Sequence, residues 1–116
     1  MSVKIYHNPR CSKSRTTLQL LQEKGIEPEV ILYLETPPSA NEIKSILSQL
    51  GLEAKKLIRF NEAIAKELKI KASDDKSDSA WIKIMAQNPK LIERPIVVKG
   101  KKAVIGRPPE NINSLV

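Results

Sequence analysis

Residues 3–34 read VKIYH-NPRC-SKSRTTLQLLQEK-GIEPE-VILYL, and the character of the chain changes at each break. Val3, Ile5 and His7 alternate with Lys4 and Tyr6, the period-two pattern of a short strand. Asn8-Pro9 breaks that pattern and turns the chain. From Ser12 to Lys24, Thr17, Leu18 and Leu21 fall at helical spacing, Leu20 widens the stripe, and Gly25 supplies a left-handed stop. Val30–Leu34 is an unbroken apolar run, which predicts a strand buried on both faces. A strand, a helix and a strand of these lengths form a right-handed parallel unit.

The middle of the chain differs in kind. Thr36-Pro37-Pro38 is a rigid break, and Ser39 with Glu42 three residues on forms a capping box. Ile43, Ile46, Leu47 and Leu50 mark one helix face that Gly51 ends. Ala54–Ile58 predicts a helical turn, and Asn61 is the expected cap of a segment containing Ile64 and Leu68. After a polar loop at 69–75, Ser77 or Asp78 starts a helix through Trp81, Ile82, Ile84 and Met85, which Asn88-Pro89 stops. This half is expected to be all helix. Pro95–Lys99, a turn at Gly100-Lys101 and Lys102–Ile105 then give a hairpin signal. Glu110–Val116 is expected to close the chain as a helix, with Pro109 well placed at its start. The order β-α-β, helices, β-β-α predicts an α/β chain with a thioredoxin-like mixed four-stranded sheet. At 116 residues it is expected to be one domain, 1–116, with an inserted helical subdomain at approximately 39–90.

Composition removes several classes of function. No stretch nears the ~20 apolar residues of a spanning helix, so no membrane role is expected. The N-terminal residues run directly into strand pattern with no signal peptide visible, and a single cysteine suits a reducing, cytoplasmic setting. One Cys and one His cannot build a zinc cage, and no metal is expected. The net charge is +7, yet the lysines are dispersed, with Lys55-Lys56 and Lys99-Gly100-Lys101-Lys102 as the longest basic clusters. Tyr6, Tyr33, Phe60 and Trp81 are the only aromatics, too few for a nucleic-acid stacking platform.

Cys11 stands where the first strand gives way to the first helix. Most free cysteines are small buried hydrophobes. A helix N-terminus, however, offers unbonded N–H groups and a positive dipole end, which favour a thiolate and attract an anion. If strand three runs antiparallel to strand one, Arg94-Pro95 lies at the edge where Cys11 sits. The hairpin then returns Arg107 to the same edge. Guanidiniums there suit a tetrahedral oxyanion, which they hold through paired donors, and they lower a nearby cysteine's pKa. Arg59, in Leu57-Ile-Arg-Phe60, is a further candidate whose position the topology does not fix.

These residues resemble a known family. Tyr6-His-Asn-Pro-Arg-Cys-Ser-Lys-Ser-Arg15, Tyr33-Leu-Glu-Thr-Pro-Pro38, Leu57-Ile-Arg59, Glu93-Arg-Pro-Ile-Val-Val98 and Gly106-Arg-Pro-Pro-Glu110 are similar to the glutaredoxin-dependent arsenate reductases, in particular their compact bacterial branch. The resemblance implies Cys11 as nucleophile, Arg59, Arg94 and Arg107 as oxyanion-binding residues, His7 as a supporting residue and Ser14 as a hydroxyl near the sulfur. It also implies a cis Pro95. It further implies arsenate as substrate, glutathione as co-substrate, glutaredoxin as partner and no bound cofactor. Arg10, Ser12 and Lys13 depart from the family's proven arsenate reductases, which often carry Ala, Gly and Thr there, and they add positive charge beside the nucleophile. From their position, His7 is expected to tune the site electrostatically and Ser14, three residues past Cys11, to donate to the sulfur. An exposed strand-end histidine and a capping or solvent-facing serine are the bland alternatives.

Three rivals are distinguishable. A phosphatase-type reductase needs Cys-x5-Arg, and the sixth residue after Cys11 is Thr17. Spx-type transcription regulators share the layout but typically switch through Cys-x-x-Cys, where this chain has Ser14. A glutathione-linked thiol oxidoreductase of the same fold, acting on something other than arsenate, is the stronger alternative, since Cys-x-x-Ser suits monothiol exchange.

Overall fold

The computed structural model describes residues 2–116 and places four strands in one mixed sheet: β1 (Val3–His7), β2 (Glu29–Leu32), β3 (Ile96–Lys99) and β4 (Lys102–Ile105). Their order is β2-β1-β3-β4, the sheet of a thioredoxin-like fold. β1 runs parallel to β2, with His7 opposite Leu32, and antiparallel to β3, with Tyr6 opposite Ile96. β4 returns antiparallel, Ile105 opposite Ile96. The chain divides into two compact units, one made of the residues through Thr36 with Arg94–Val116, the other of Pro37–Glu93.

In the sheet-bearing unit, helix α1 (Ser12–Glu23) buries Leu21 against Val3, Ile5, Val97 and Ile112. Each such side chain contributes roughly 1.5–3 kcal/mol by leaving water. Gly25 ends the helix at φ +76°. Two expectations are corrected here. β2 is not buried on both faces: it is an edge strand ending at Leu32, with Val30 43 % and Leu34 36 % exposed. An edge strand has one neighbour, and the α1-side cluster stops short of Val30. The closing segment is a 3₁₀ helix at Pro109–Ser114 rather than a helix over 110–116. The Asn111 amide donates to the carbonyls of Ile105 and Arg107, a local alternative to regular helix.

The other unit holds α2 (Ala40–Leu50), α3 (Ala63–Glu67) and α4 (Asp78–Gln87), with 3₁₀ turns at Ala54–Leu57 and Pro89–Leu91. The Ser39–Glu42 capping box is formed, and Ser77 caps α4 by accepting from the Ala80 N–H. Trp81 is buried, edge-to-face with Phe60 at 5.5 Å. The expected cap Asn61 is replaced by Glu62, whose carboxylate pairs with Arg59. Nor is the unit all helix. Ile58 and Ile92 form an antiparallel bridge, with the Arg59 N–H donating to the Leu91 carbonyl at 2.7 Å and the Glu93 N–H to the Leu57 carbonyl at 2.8 Å.

One close approach ties α1 to the hairpin. The Thr17 hydroxyl donates to the Gly106 carbonyl at 3.0 Å, and the Gly106 N–H donates to the Pro95 carbonyl at 2.8 Å. A Cβ on residue 106 would meet Thr17 Cγ2 and Oγ1 at 2.8 Å and Pro95 Cγ at 3.0 Å, so only glycine fits. Gly106→Ala should therefore lower stability by about 1–3 kcal/mol in urea unfolding. In a Thr17→Ala background the same change should cost less, because both 2.8 Å contacts disappear. Equal costs in the two backgrounds would contradict this account of the contact.

Candidate active site

Cys11 is the N-cap residue of α1, with extended backbone (φ −97°, ψ 121°) and no capping bond from its side chain. It is half-buried and follows a tight turn in which its N–H donates to the Asn8 carbonyl at 3.0 Å. The first turn of α1 carries Lys13 and Arg15 and no acidic residue, whereas α2 and α4 begin with Glu42 and Asp78. Cations at a helix N-terminus oppose the macrodipole. The positive potential at this helix end is thus left uncancelled by its own first turn, an arrangement that suits an anion.

The register brings the two hairpin arginines to this edge. Arg94 precedes β3 and Arg107 follows β4, both at the end where β1 delivers its chain to Cys11. Gly106 strengthens the link, since it bonds Pro95 and Thr17 at once. Both arginines are half-buried, and each precedes a cis peptide bond, Arg94–Pro95 and Arg107–Pro108. The family resemblance implied the first of these; nothing in the sequence reading anticipated the second.

Arg59 lies in the other unit, where its guanidinium pairs with Glu62 and, at 3.4 Å from Nε, with Glu93. Two carboxylates therefore engage the side chain that the resemblance assigns to the oxyanion.

His7 and Ser14 are both buried, which removes the exposed-histidine and solvent-facing-serine alternatives. They bond each other, His7 Nδ1 to Ser14 Oγ at 2.6 Å, and Ser14 Oγ also accepts the Asn8 N–H at 3.1 Å. Burial, reinforced by the Arg15 charge, holds the imidazole below its ordinary pKa of 6.5. An imidazole held below 6.5 is largely neutral at pH 7, and the side-chain contact it makes here is the hydrogen bond to Ser14. Arg15 was not singled out from the sequence. Besides depressing His7, it donates from Nη1 to the Pro9 carbonyl at 2.9 Å and so clamps the Asn8–Arg10 turn. The available signal was its place in a helix first turn where an acidic residue is usual. Among the described residues, no three His, Cys, Asp or Glu side chains gather as a metal cluster.

Comparison with known proteins places the chain in a family. The ArsC family model matches residues 6–115. The uncharacterized protein YfgD of Escherichia coli K12 is 56 % identical over 98 % of this chain and 96 % of its own length. The arsenate reductase of Haemophilus influenzae is 47 % identical over 97 % of each chain. A solved arsenate reductase from Vibrio cholerae superposes with a TM-score of 0.95 at 52 % identity, covering 100 % of this chain and 98 % of that one.

The state of His7 has a measurable consequence. The unfolded chain takes up this proton before the folded one does, so the associated stability is complete above pH 6.5 and fades as pH falls through it. A proton NMR titration should place the His7 midpoint below 6.5. Arg15→Ala should move that midpoint upward but not restore it, because burial is the larger cause. A midpoint at or above 6.5 in the unsubstituted protein would contradict the assignment of a neutral imidazole.

Proposed function

We propose, because the chain belongs to the ArsC family, that its Cys11 site reduces arsenate to arsenite with electrons from glutathione and glutaredoxin. One observation carries this reading: the sheet register and the Gly106 bridge bring the backbones at Arg94 and Arg107 to the edge where α1 presents Cys11.

The Cys11 thiolate attacks arsenic, one arsenate oxygen leaves as water after taking up protons, and a sulfur–arsenic(V) adduct forms. Arg94 and Arg107 neutralise the oxyanion as charge builds in this step. Ser14 steadies the sulfur. With an Nδ1–H tautomer of His7 and the Asn8 N–H filling its two lone pairs, the hydroxyl keeps its proton for the sulfur. Arg59 enters this scheme through the family resemblance alone. A glutathione thiol then adds to the arsenic and a second oxygen leaves as water. The glutaredoxin thiolate attacks the glutathione sulfur, and the electron pair of the sulfur–arsenic bond stays on arsenic. Arsenic thereby falls from As(V) to As(III), while two sulfurs become a mixed disulfide. Water displaces the Cys11 sulfur and arsenite leaves. A second glutathione frees glutaredoxin, so each turnover converts two glutathiones and one arsenate into glutathione disulfide, arsenite and water. The cycle needs no bound cofactor, and its thiols belong to a reducing, cytoplasmic setting.

NADPH consumption with glutathione, glutaredoxin and glutathione reductase tests the reading directly. The expected result is an arsenate-dependent rate that Cys11→Ser abolishes. Arg94→Ala and Arg107→Ala should each lower kcat/KM by roughly 10²–10³-fold. A rate that ignores arsenate would instead make the protein a thiol oxidoreductase.

A further inference from the structure

The loop that carries Cys11 has two flanks. The β3–β4 ends, with Arg94 and Arg107, form one of them. On the other, His7 stands opposite Leu32 in register, so beyond the strand ends the turn after β1 runs beside the turn after β2. Between these turns lies a cavity of about 250 Å³, lined by His7, Asn8, Pro9 and Arg10 on one side and by Leu32, Leu34 and Glu35 on the other. Neither Arg94 nor Arg107 lines it.

Its chemistry is specific. The lining is more apolar than polar, and Leu34 is a large hydrophobic side chain left 36 % exposed. The lining also carries one cation and one anion, and among the described residues neither Arg10 nor Glu35 enters an ion pair. Arg10 is also a position where the chain departs from what the family resemblance implies, and the arsenate chemistry leaves it without a role. A simple oxyanion would find Glu35 repulsive there. A group bearing a carboxylate and an ammonium on one carbon, followed by methylenes, matches the cation, the anion and the apolar part of the lining together. At about 250 Å³ the space is smaller than the roughly 300–1,000 Å³ of pockets that engulf a whole ligand. It accommodates the end of a peptide and leaves the remainder outside.

We propose that this cavity seats the γ-glutamyl end of glutathione, with Arg10 taking its carboxylate and Glu35 its ammonium group. The inference rests on the reading of the site as one served by a glutathione thiol. Because Arg10 adjoins Cys11 in the chain, a peptide anchored there has its cysteinyl residue beside the nucleophile's loop. It arrives from the flank opposite the arginines, so thiol and oxyanion need not compete for the same side chains.

The test is a titration of the Cys11→Ser protein, which cannot turn over, with S-methylglutathione, followed in ¹⁵N–¹H spectra. Saturable shifts are expected at the amides of Arg10, Leu34 and Glu35, and inorganic phosphate should not reproduce them. Arg10→Ala and Glu35→Gln should each weaken binding about tenfold. Both side chains are exposed, so these substitutions leave the core intact. Shifts confined to residues 94–107, or an affinity that neither substitution alters, would overturn the assignment. In turnover, both substitutions should raise the KM for glutathione about tenfold while the KM for arsenate holds. A rise in the arsenate KM instead would assign Arg10 to the oxyanion and overturn the proposal. The two readings fail separately: binding in this cavity without arsenate reduction upholds the seat and removes the substrate, and arsenate reduction without such binding removes the seat alone.

Discussion

The contact of Gly106 with Thr17 is the constraint on which the site depends. A helix that delivers a nucleophile is useful only if its first turns are fixed against the groups that receive the substrate. Here a hydroxyl on the second turn of α1 bonds the carbonyl of a residue whose N–H is already bonded to Pro95. Pro95, next to Arg94, and Gly106, next to Arg107, are thus joined to each other and to the helix through one residue without a side chain. Packing interiors tolerate little change of volume, so the missing Cβ sets how near helix and hairpin come.

Electrostatically the site is built against the stability of its own helix. A basic first turn costs α1 the favourable dipole interaction that Glu42 and Asp78 give α2 and α4. The histidine nearest this charge responds by staying neutral. The consequence is a basic helix end at Cys11 with no acidic residue in its first turn. Arg59 shows the opposite arrangement, since Glu62 and Glu93 already balance its guanidinium.

Much of this was legible in the sequence, where local pattern and chemistry coincide. The alternation of Val3–His7, the stop at Gly25 and the Ser39–Glu42 box each specify structure within a few residues. The convergence of Cys11, Arg94 and Arg107 on one edge followed from strand direction alone. What escaped the sequence depends on partners distant along the chain. The Ile58–Ile92 bridge joins single residues with no period to announce it. An apolar run such as Val30–Leu34 looks the same in an edge strand as in a central one. The pairing of Ser14 with His7 and the clamp of Arg15 on Pro9 require knowing which way a helix face turns.

The chain has one cysteine, half-buried at the start of a helix. Seen from the chemistry of oxidants, that solitude is an exposure. A sulfenic acid formed on Cys11 meets no resolving thiol within its own chain, because Ser14 occupies the position three residues on. Further oxidation leads to sulfinic and sulfonic acids, from which ordinary thiols do not return it. The lifetime of the reduced sulfur under peroxide is therefore set by how quickly an external thiol reaches it. In the proposed cycle, the small thiols that supply its electrons would also decide how long this sulfur survives.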